Sequence, residues 1–213
     1  MKKFLIILGM LVVLSGCTKI EDKNYDEIIN TVITSKYEIQ NTYRTGYKYY
    51  APTNIGIINK LDYNETLADE SFTYYFYIDV VSYYNRVIEN YEENATAVYS
   101  KTINYEDKYG YIEINKWRND KYLLEIMYNY AKIEVIVNEA GIKNAIATAM
   151  VVLTSVKYNN NVLDNIIGEN VLTSKEIDFN IFETKKSESN FLQVSENDIY
   201  EGEDTIKDPD LVK

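Results

Sequence analysis

The chain has 213 residues, a formal net charge of −11, one cysteine and no histidine. Without histidine, a Ser-His-Asp triad, a Cys-His pair and a histidine-ligated zinc site are excluded. The negative charge disfavours nucleic acid as a partner, because phosphate binding requires clustered Lys and Arg. The sequence contains neither a nucleotide-binding loop nor a metal-binding motif, so we expect no cofactor and no metal.

Residues 1–16 have the layout of a signal peptide. A cationic start at Lys2 and Lys3 precedes an apolar run that ends near Val13. The run is much shorter than the about 20 apolar residues of a membrane-spanning helix. We therefore expect it to be removed from the mature protein.

The stretch Leu14-Ser15-Gly16-Cys17 resembles the lipobox of bacterial lipoproteins. The resemblance implies that a diacylglyceryl group is attached to the Cys17 thiol and that a peptidase cuts before this residue. It further implies a chain anchored by lipid on the extracytoplasmic face of the cell membrane. The alternative is an ordinary secretory signal in which the cysteine is incidental. The mature part is similar only in general appearance to uncharacterised lipoproteins of low-GC Gram-positive bacteria, and we infer no fold or activity from it.

Three further segments follow the signal peptide. We expect a lipidated cysteine and tether over residues 17–24, a single α+β domain over residues 25–183 and an acidic, unfolded tail over residues 184–213. The tail combines low hydrophobicity with high charge, which disfavours a packed core. A tether of about seven residues reaches roughly 25 Å. The domain should therefore remain close to the membrane.

Helical spacing of apolar residues predicts a first helix from residue 25 to about residue 42, with Asp22 or Asn24 as its cap. Gly46 and Pro52 then indicate a Tyr-rich connection. Beyond Gly141, the same kind of reasoning predicts a helix over 142–156, a short helix over 162–167 and a strand over 176–182.

Alternating apolar and polar residues predict the strands 72–80, 98–105, 111–117, 122–128 and 133–137. The short polar stretches between most of them are typical of an antiparallel meander. With an N-terminal and a C-terminal helix packed on one sheet face, the fold class is α+β.

The register of one hairpin follows from the burial pattern. If residues 118–120 form the loop, Trp117 faces Lys121 and Glu113 faces Glu125. The apolar residues Ile112, Ile114, Leu124 and Ile126 then share one face. A shorter loop would mix apolar and charged residues, because a slip of one residue turns every side chain over.

The sheet face opposite the helices is the predicted binding surface. Aromatic residues and Met are enriched at interfaces, and this face combines them with carboxylates. Its predicted members are Tyr75, Tyr77, Asp79, Tyr111, Glu113, Asn115, Trp117, Leu123, Glu125, Met127 and Ile136. The alternative is that the N-terminal helix or a loop buries this face as a second core layer.

Three carboxylates on this face carry specific expectations. Opposed glutamates such as Glu113 and Glu125 are destabilising unless they share a proton, bind a divalent ion or bend into water. Asp79 lies in an apolar strand, where a buried and unpaired carboxylate would be costly. It is either a functional acid or a residue at a strand edge or paired with Lys or Arg.

These patterns predict a non-enzymatic, membrane-anchored domain that binds another envelope protein or a glycan. The alternative is a carboxylate-dependent enzyme that acts on cell-wall or surface glycans. Such an enzyme requires two carboxyl groups in one cleft, about 5 to 10 Å apart.

Overall fold

A computed structural model of the chain describes residues 19–35, 39–88 and 90–167. The predicted signal peptide, the predicted lipobox with Cys17, the predicted strand 176–182 and the predicted acidic tail lie outside the described residues. All described residues belong to one unit. Within the described ranges, no helix is long and apolar enough to span a membrane.

The described residues form an α+β structure with antiparallel sheets, as predicted. Its helices are α1 (Tyr25–Thr34), α2 (Val80–Asn85), α3 (Ile142–Thr154) and α4 (Asn160–Ile167). Its strands are β1 (Thr42–Arg44), β2 (Tyr47–Tyr49), β3 (Gly56–Leu61), β4 (Asn64–Ala68), β5 (Thr73–Ile78), β6 (Tyr99–Tyr105), β7 (Lys108–Trp117), β8 (Lys121–Tyr128), β9 (Ala131–Asn138) and β10 (Lys157–Tyr158).

The large sheet has seven strands in the order β3-β4-β5-β9-β8-β7-β6. The meander β6 to β9 is as predicted, but β5 lies beside β9 instead of β6. This order buries the apolar strands β5 and β9 at the centre and leaves β6 at an edge. As a consequence, the connection from β5 to β6 has to pass from the middle of the sheet to its border.

The predicted register of the β7–β8 hairpin is confirmed. Trp117 pairs with Lys121, and Glu113 pairs with Glu125. Two residues of the loop, Asn119 and Asp120, have φ values of 57° and 53°, a conformation that Asn and Asp tolerate better than most residues. The apolar side chains predicted to share a face are all buried, namely Ile112, Ile114, Leu124 and Ile126.

Helix α1 begins where predicted and ends earlier. The Asn24 side chain accepts a hydrogen bond from the Glu27 amide, and the Glu27 carboxylate accepts one from the Asn24 amide, which completes a capping box. The prediction of a helix to about residue 42 is wrong, because α1 ends at Thr34 and Thr42 already pairs with Tyr49 in β1–β2. Burial of Tyr47 and Tyr49 of β2 stabilises this hairpin and favours it relative to a longer helix.

Helix α3 lies on β8 and β9, and α1 packs on α3. The N-terminal and C-terminal helices therefore cover one face of the large sheet, as predicted. Helix α3 uses small residues for the close approach to the sheet, and its buried positions include Ala145, Ile146, Ala149, Met150 and Leu153.

A second sheet, β1-β2-β10, packs on the same face of the large sheet, beside the helices. The Tyr49 ring lies 5.0 Å from the Phe76 ring of β5. On this side the Glu65 carboxylate is buried and bound by Arg44, Tyr47 and Tyr49. The region that the sequence indicated as a Tyr-rich connection thus contains strands β1 and β2 and much of their contact with the large sheet.

Candidate functional site

The residues of the predicted binding face lie opposite the helices, with the exception of Asp79. The other members of this face alternate along β5, β7, β8 and β9 with the buried core residues. Most of these side chains are half-buried, and Tyr77 and Leu123 are buried. We call this surface the second face; besides its predicted members it includes Ser100 and Thr102 of β6, which pair with Glu113 and Tyr111.

Asp79 is the exception. Strand β5 ends at Ile78, and Asp79 is the N-cap of α2, where its carboxylate accepts a hydrogen bond of 2.7 Å from the Ser82 amide. Its own amide donates to the Tyr130 carbonyl over 2.9 Å. The predicted position on a strand within the binding face is therefore wrong. A short carboxylate is favoured here because it satisfies an amide of the first helical turn.

The connection from β5 to β6 covers one part of the second face. We call residues 87–88 and 90–98 the crossing segment. Its Tyr91 ring stacks on the Tyr111 ring, with the centroids 4.0 Å apart. Its Glu93 carboxylate accepts a hydrogen bond of 3.0 Å from the Thr102 amide. Over β6 and β7 a loop thus covers the second face, which was one form of the alternative prediction. The N-terminal helix α1, the other candidate for covering it, lies on the opposite side of the sheet.

Side chains of the crossing segment and of β7 donate hydrogen bonds to the two opposed glutamates. Glu113 accepts hydrogen bonds from the side-chain amides of Asn94 and Asn115, over 3.0 and 2.7 Å, and from the Tyr91 hydroxyl. Glu125 accepts one from the Tyr111 hydroxyl. Burial, followed by the bond to Glu113, raises the pKa of Tyr91, which keeps its hydroxyl a donor at neutral pH. Both carboxylates therefore accept hydrogen bonds from neutral donors on the same side of the sheet.

A third glutamate extends this row. Glu134 of β9 lies opposite Glu125, is almost fully buried and has the Lys132 ammonium 3.3 Å from its carboxylate. Three carboxylates thus follow one another across β7, β8 and β9. Even so, no group of three or more His, Cys, Asp or Glu side chains that could hold a metal ion occurs in the described part of the chain.

A cleft of about 210 Å³ opens where the crossing segment meets β6, β7 and β8. We call it the tyrosine cleft. The hydroxyls of Tyr91 and Tyr111 are bound to glutamates that do not line the cleft, so these residues contribute ring surface to it. Its described lining residues are Val87, Ile88, Asn90, Tyr91, Thr102, Asn104, Tyr109, Gly110, Tyr111, Met127 and Tyr130.

The backbone around Gly110 and Tyr130 fixes the shape of the cleft. A Cβ atom on Gly110 would lie 2.0 Å from the Met127 carbonyl oxygen, so the close approach of β7 to β8 requires glycine. Asn129 and Tyr130 form the β8–β9 turn with φ values of 54° and 61°, as in a two-residue hairpin of type I′. This turn places Tyr130 at the cleft, with its ring edge-on to Tyr83.

A smaller cleft, of about 80 Å³, lies on the other half of the second face. Tyr75, Tyr77, Lys132 and Glu134 are among its lining residues. Trp117 lines neither cleft. It lies six residues beyond Tyr111 on β7, which is roughly 20 Å along a strand. The structure therefore brings Tyr111 and Met127 together in one cleft, Tyr75 and Tyr77 in another, and leaves Trp117 apart.

Several lining residues were not predicted. Val87 and Ile88 are apolar but about half exposed, and Tyr109 is 46% exposed at the rim. A Val-Ile pair outside any predicted element was the available signal, because exposed apolar residues next to one another are unusual in a connecting segment. The comparison of the chain with protein-family models, curated proteins and solved structures finds no match.

Proposed function

We propose that this protein is a lipoprotein anchored through Cys17 on the extracytoplasmic face of a bacterial cell membrane, and that its domain binds another envelope component. The tyrosine cleft is the observation that supports the binding role. A concave site with aromatic walls and a few polar groups is the usual form of a ligand site. Three exposed apolar side chains, Val87, Ile88 and Tyr109, form its rim.

The position of the cleft is compatible with a tethered protein. It lies on the second face, which is turned away from α1 and therefore from the packed start of the domain. A ligand can reach the rim without displacing a helix. Since the tether is short, we expect the ligand to be a component close to the membrane surface.

The anchoring is tested by labelling cells with a fatty acid that carries a detectable tag. We expect the tag on the wild-type chain and its recovery in the membrane fraction. The Cys17→Ala variant should carry no tag, because no other thiol is present in the chain. Tagged Cys17→Ala protein would exclude lipidation at this cysteine.

The binding role is tested by crosslinking in native membranes. A photoreactive residue at Tyr109 lies on the rim of the cleft, and one at Tyr43 is a matched control, since Tyr43 is 67% exposed on β1 of the small sheet. A discrete adduct from position 109 and none from position 43 is the expected result. Equal adducts from both positions, or none from either, would argue against binding at this face.

The alternative of a carboxylate-dependent enzyme has less support. Neither Glu113 nor Glu125 lines either of the two clefts described above, and both accept hydrogen bonds from tyrosine hydroxyls. Glu65 and Glu134 line the smaller cleft, but the Glu65 carboxylate is turned to the other face and is held there by Arg44. These positions do not offer two free carboxylates to one substrate.

A further inference from the structure

The described lining residues of the tyrosine cleft all carry neutral side chains. None of its described lining residues is ionised at neutral pH, in a chain with a net charge of −11. A charged group that entered the cleft would lose water without gaining an ion pair, which is costly. These described residues therefore favour an uncharged ligand.

The lining also combines apolar surface with side-chain amides. Tyr91 and Tyr111 present rings, because their hydroxyls are bound to glutamates outside the cleft. Asn90 and Asn104 supply amides that both donate and accept. The Thr102 hydroxyl donates to the Glu93 carboxylate over 3.3 Å and can only accept from a ligand. A ligand with one apolar face and a hydroxyl-bearing edge satisfies both kinds of surface, whereas a hydrocarbon would leave the amides without a partner.

The size of the cleft limits the group that fits. Its volume of about 210 Å³ is below the roughly 300 to 1,000 Å³ of pockets for drug-sized molecules. One sugar ring has this amphipathic character and is a group of suitable size. Building on the binding role proposed above, we propose that the tyrosine cleft binds a neutral sugar residue of an envelope glycan.

The sheet also indicates the direction of a longer glycan. Tyr111 pairs with Met127, Met127 with Lys132, and Lys132 with Tyr77. This row connects the tyrosine cleft with the smaller cleft across three strand spacings, or roughly 15 Å. An oligosaccharide is therefore a better probe than a single sugar.

The test is binding of neutral oligosaccharides, chitotriose and maltotriose, to the protein purified from membranes in detergent, measured by saturation-transfer NMR and titration. We expect one of them to bind the wild-type protein and the Tyr109→Ala variant to bind at least about tenfold more weakly. Tyr43→Ala, which removes an exposed tyrosine far from the cleft, should bind as the wild type does. Asn104→Ala is a second variant, at an exposed position of β6 that lines the cleft. Circular dichroism shows that each variant is folded.

The outcomes separate this inference from the proposed function. Retained affinity in both Tyr109→Ala and Asn104→Ala would overturn the tyrosine cleft as the sugar site. Absence of binding of both oligosaccharides to the wild-type chain would overturn a neutral glycan as the ligand. A protein adduct at position 109 would then still support the binding role, whereas absence of both sugar binding and adduct would remove both proposals.

Discussion

The contact between the two sheets depends on one buried carboxylate, and we expect Arg44→Ala to destabilise the domain strongly. The Glu65 side chain is fully buried and accepts four hydrogen bonds. Two come from the Arg44 guanidinium, over 2.9 and 2.7 Å, and one each from the hydroxyls of Tyr47 and Tyr49, over 2.9 Å. Without Arg44 the carboxylate keeps its two tyrosine donors but loses its counter-charge.

Removing one partner of a buried ion pair typically costs about 3 to 5 kcal/mol, because the other charge remains buried. Such a loss is a large part of the about 5 to 15 kcal/mol that stabilises a domain. With a urea dependence of about 2 kcal/mol per molar, the unfolding midpoint should fall by roughly 2 M. Arg44→Lys should lie between, because an ammonium retains the charge but not the paired hydrogen bonds.

Urea denaturation followed by circular dichroism and by the fluorescence of Trp117, the single tryptophan, measures these values. Arg86→Ala is the matched control. Its guanidinium lies 4.5 Å above the Tyr83 ring at an exposed position, so its removal should cost about 0.5 to 1 kcal/mol. If Arg44→Ala costs no more than Arg86→Ala, the buried ion pair does not hold the sheets together.

Three further predictions concern stability. Glu125→Gln should raise the free energy of unfolding by roughly 0.5 to 1.5 kcal/mol, because it removes like-charge repulsion with both neighbouring glutamates and keeps a hydrogen-bond acceptor; urea denaturation that finds a loss instead would contradict this. Gly110→Ala should lower the free energy of unfolding by about 1 to 3 kcal/mol, because the added Cβ displaces a strand. In Gly56→Ala the added Cβ would meet no atom closer than 3.8 Å, so the loss in the same assay should be less than half as large. Burial raises the pKa of Tyr128 to about 12 and raises that of other core tyrosines further. The contribution of these tyrosines to stability should therefore be complete below pH 10, the pKa of tyrosine in the unfolded chain, and be lost as the pH rises toward 12 and beyond. Tyrosinate absorbance should appear cooperatively, together with the loss of the circular dichroism signal. A gradual titration with the fold retained would refute this.

The strands β6 to β9 were predictable because their evidence is local. Ile112 and Ile114 alternate with polar residues, and the partner strand repeats the pattern, so a single loop length satisfies both. Helix α3 was predictable for the same reason, since its apolar residues recur at helical spacing over more than three turns.

The strands β3 and β4 and the position of β5 were not predictable in this way. Every residue of β3 is exposed, so alternating burial does not exist there. The pairing of β5 with β9 joins residues about 60 positions apart, as in Tyr74 with Val135. The neighbour of β5 was therefore a question of strand order, which alternation within a strand does not determine.

Asp79 illustrates a local ambiguity. The alternation that continues from Phe76 through Ile78 to Val80 fits a longer strand, yet Val80 is the first residue of α2 and is buried there. Asp followed by an apolar run is equally typical of a helix start. Packing of α2 against α4 favours the helix. The two helices are far apart in the sequence, so the residues near Asp79 do not reveal this contact.

The tyrosine cleft follows from strand order rather than from any motif. Because β5 lies at the centre and β6 at the border, the crossing segment has to run over β7, and its Tyr91 meets Tyr111. It is held there by hydrogen bonds that Tyr91 and Asn94 donate to Glu113 and by one that the Glu93 carboxylate accepts from the Thr102 amide. Its Val87 and Ile88 remain exposed. The floor of the cleft, in contrast, is a continuous antiparallel ladder. Displacing the crossing segment, which forms one wall of the cleft, therefore costs less free energy than displacing the strands of the floor. A ligand that fits imperfectly would be accommodated by movement of the crossing segment and not of the sheet.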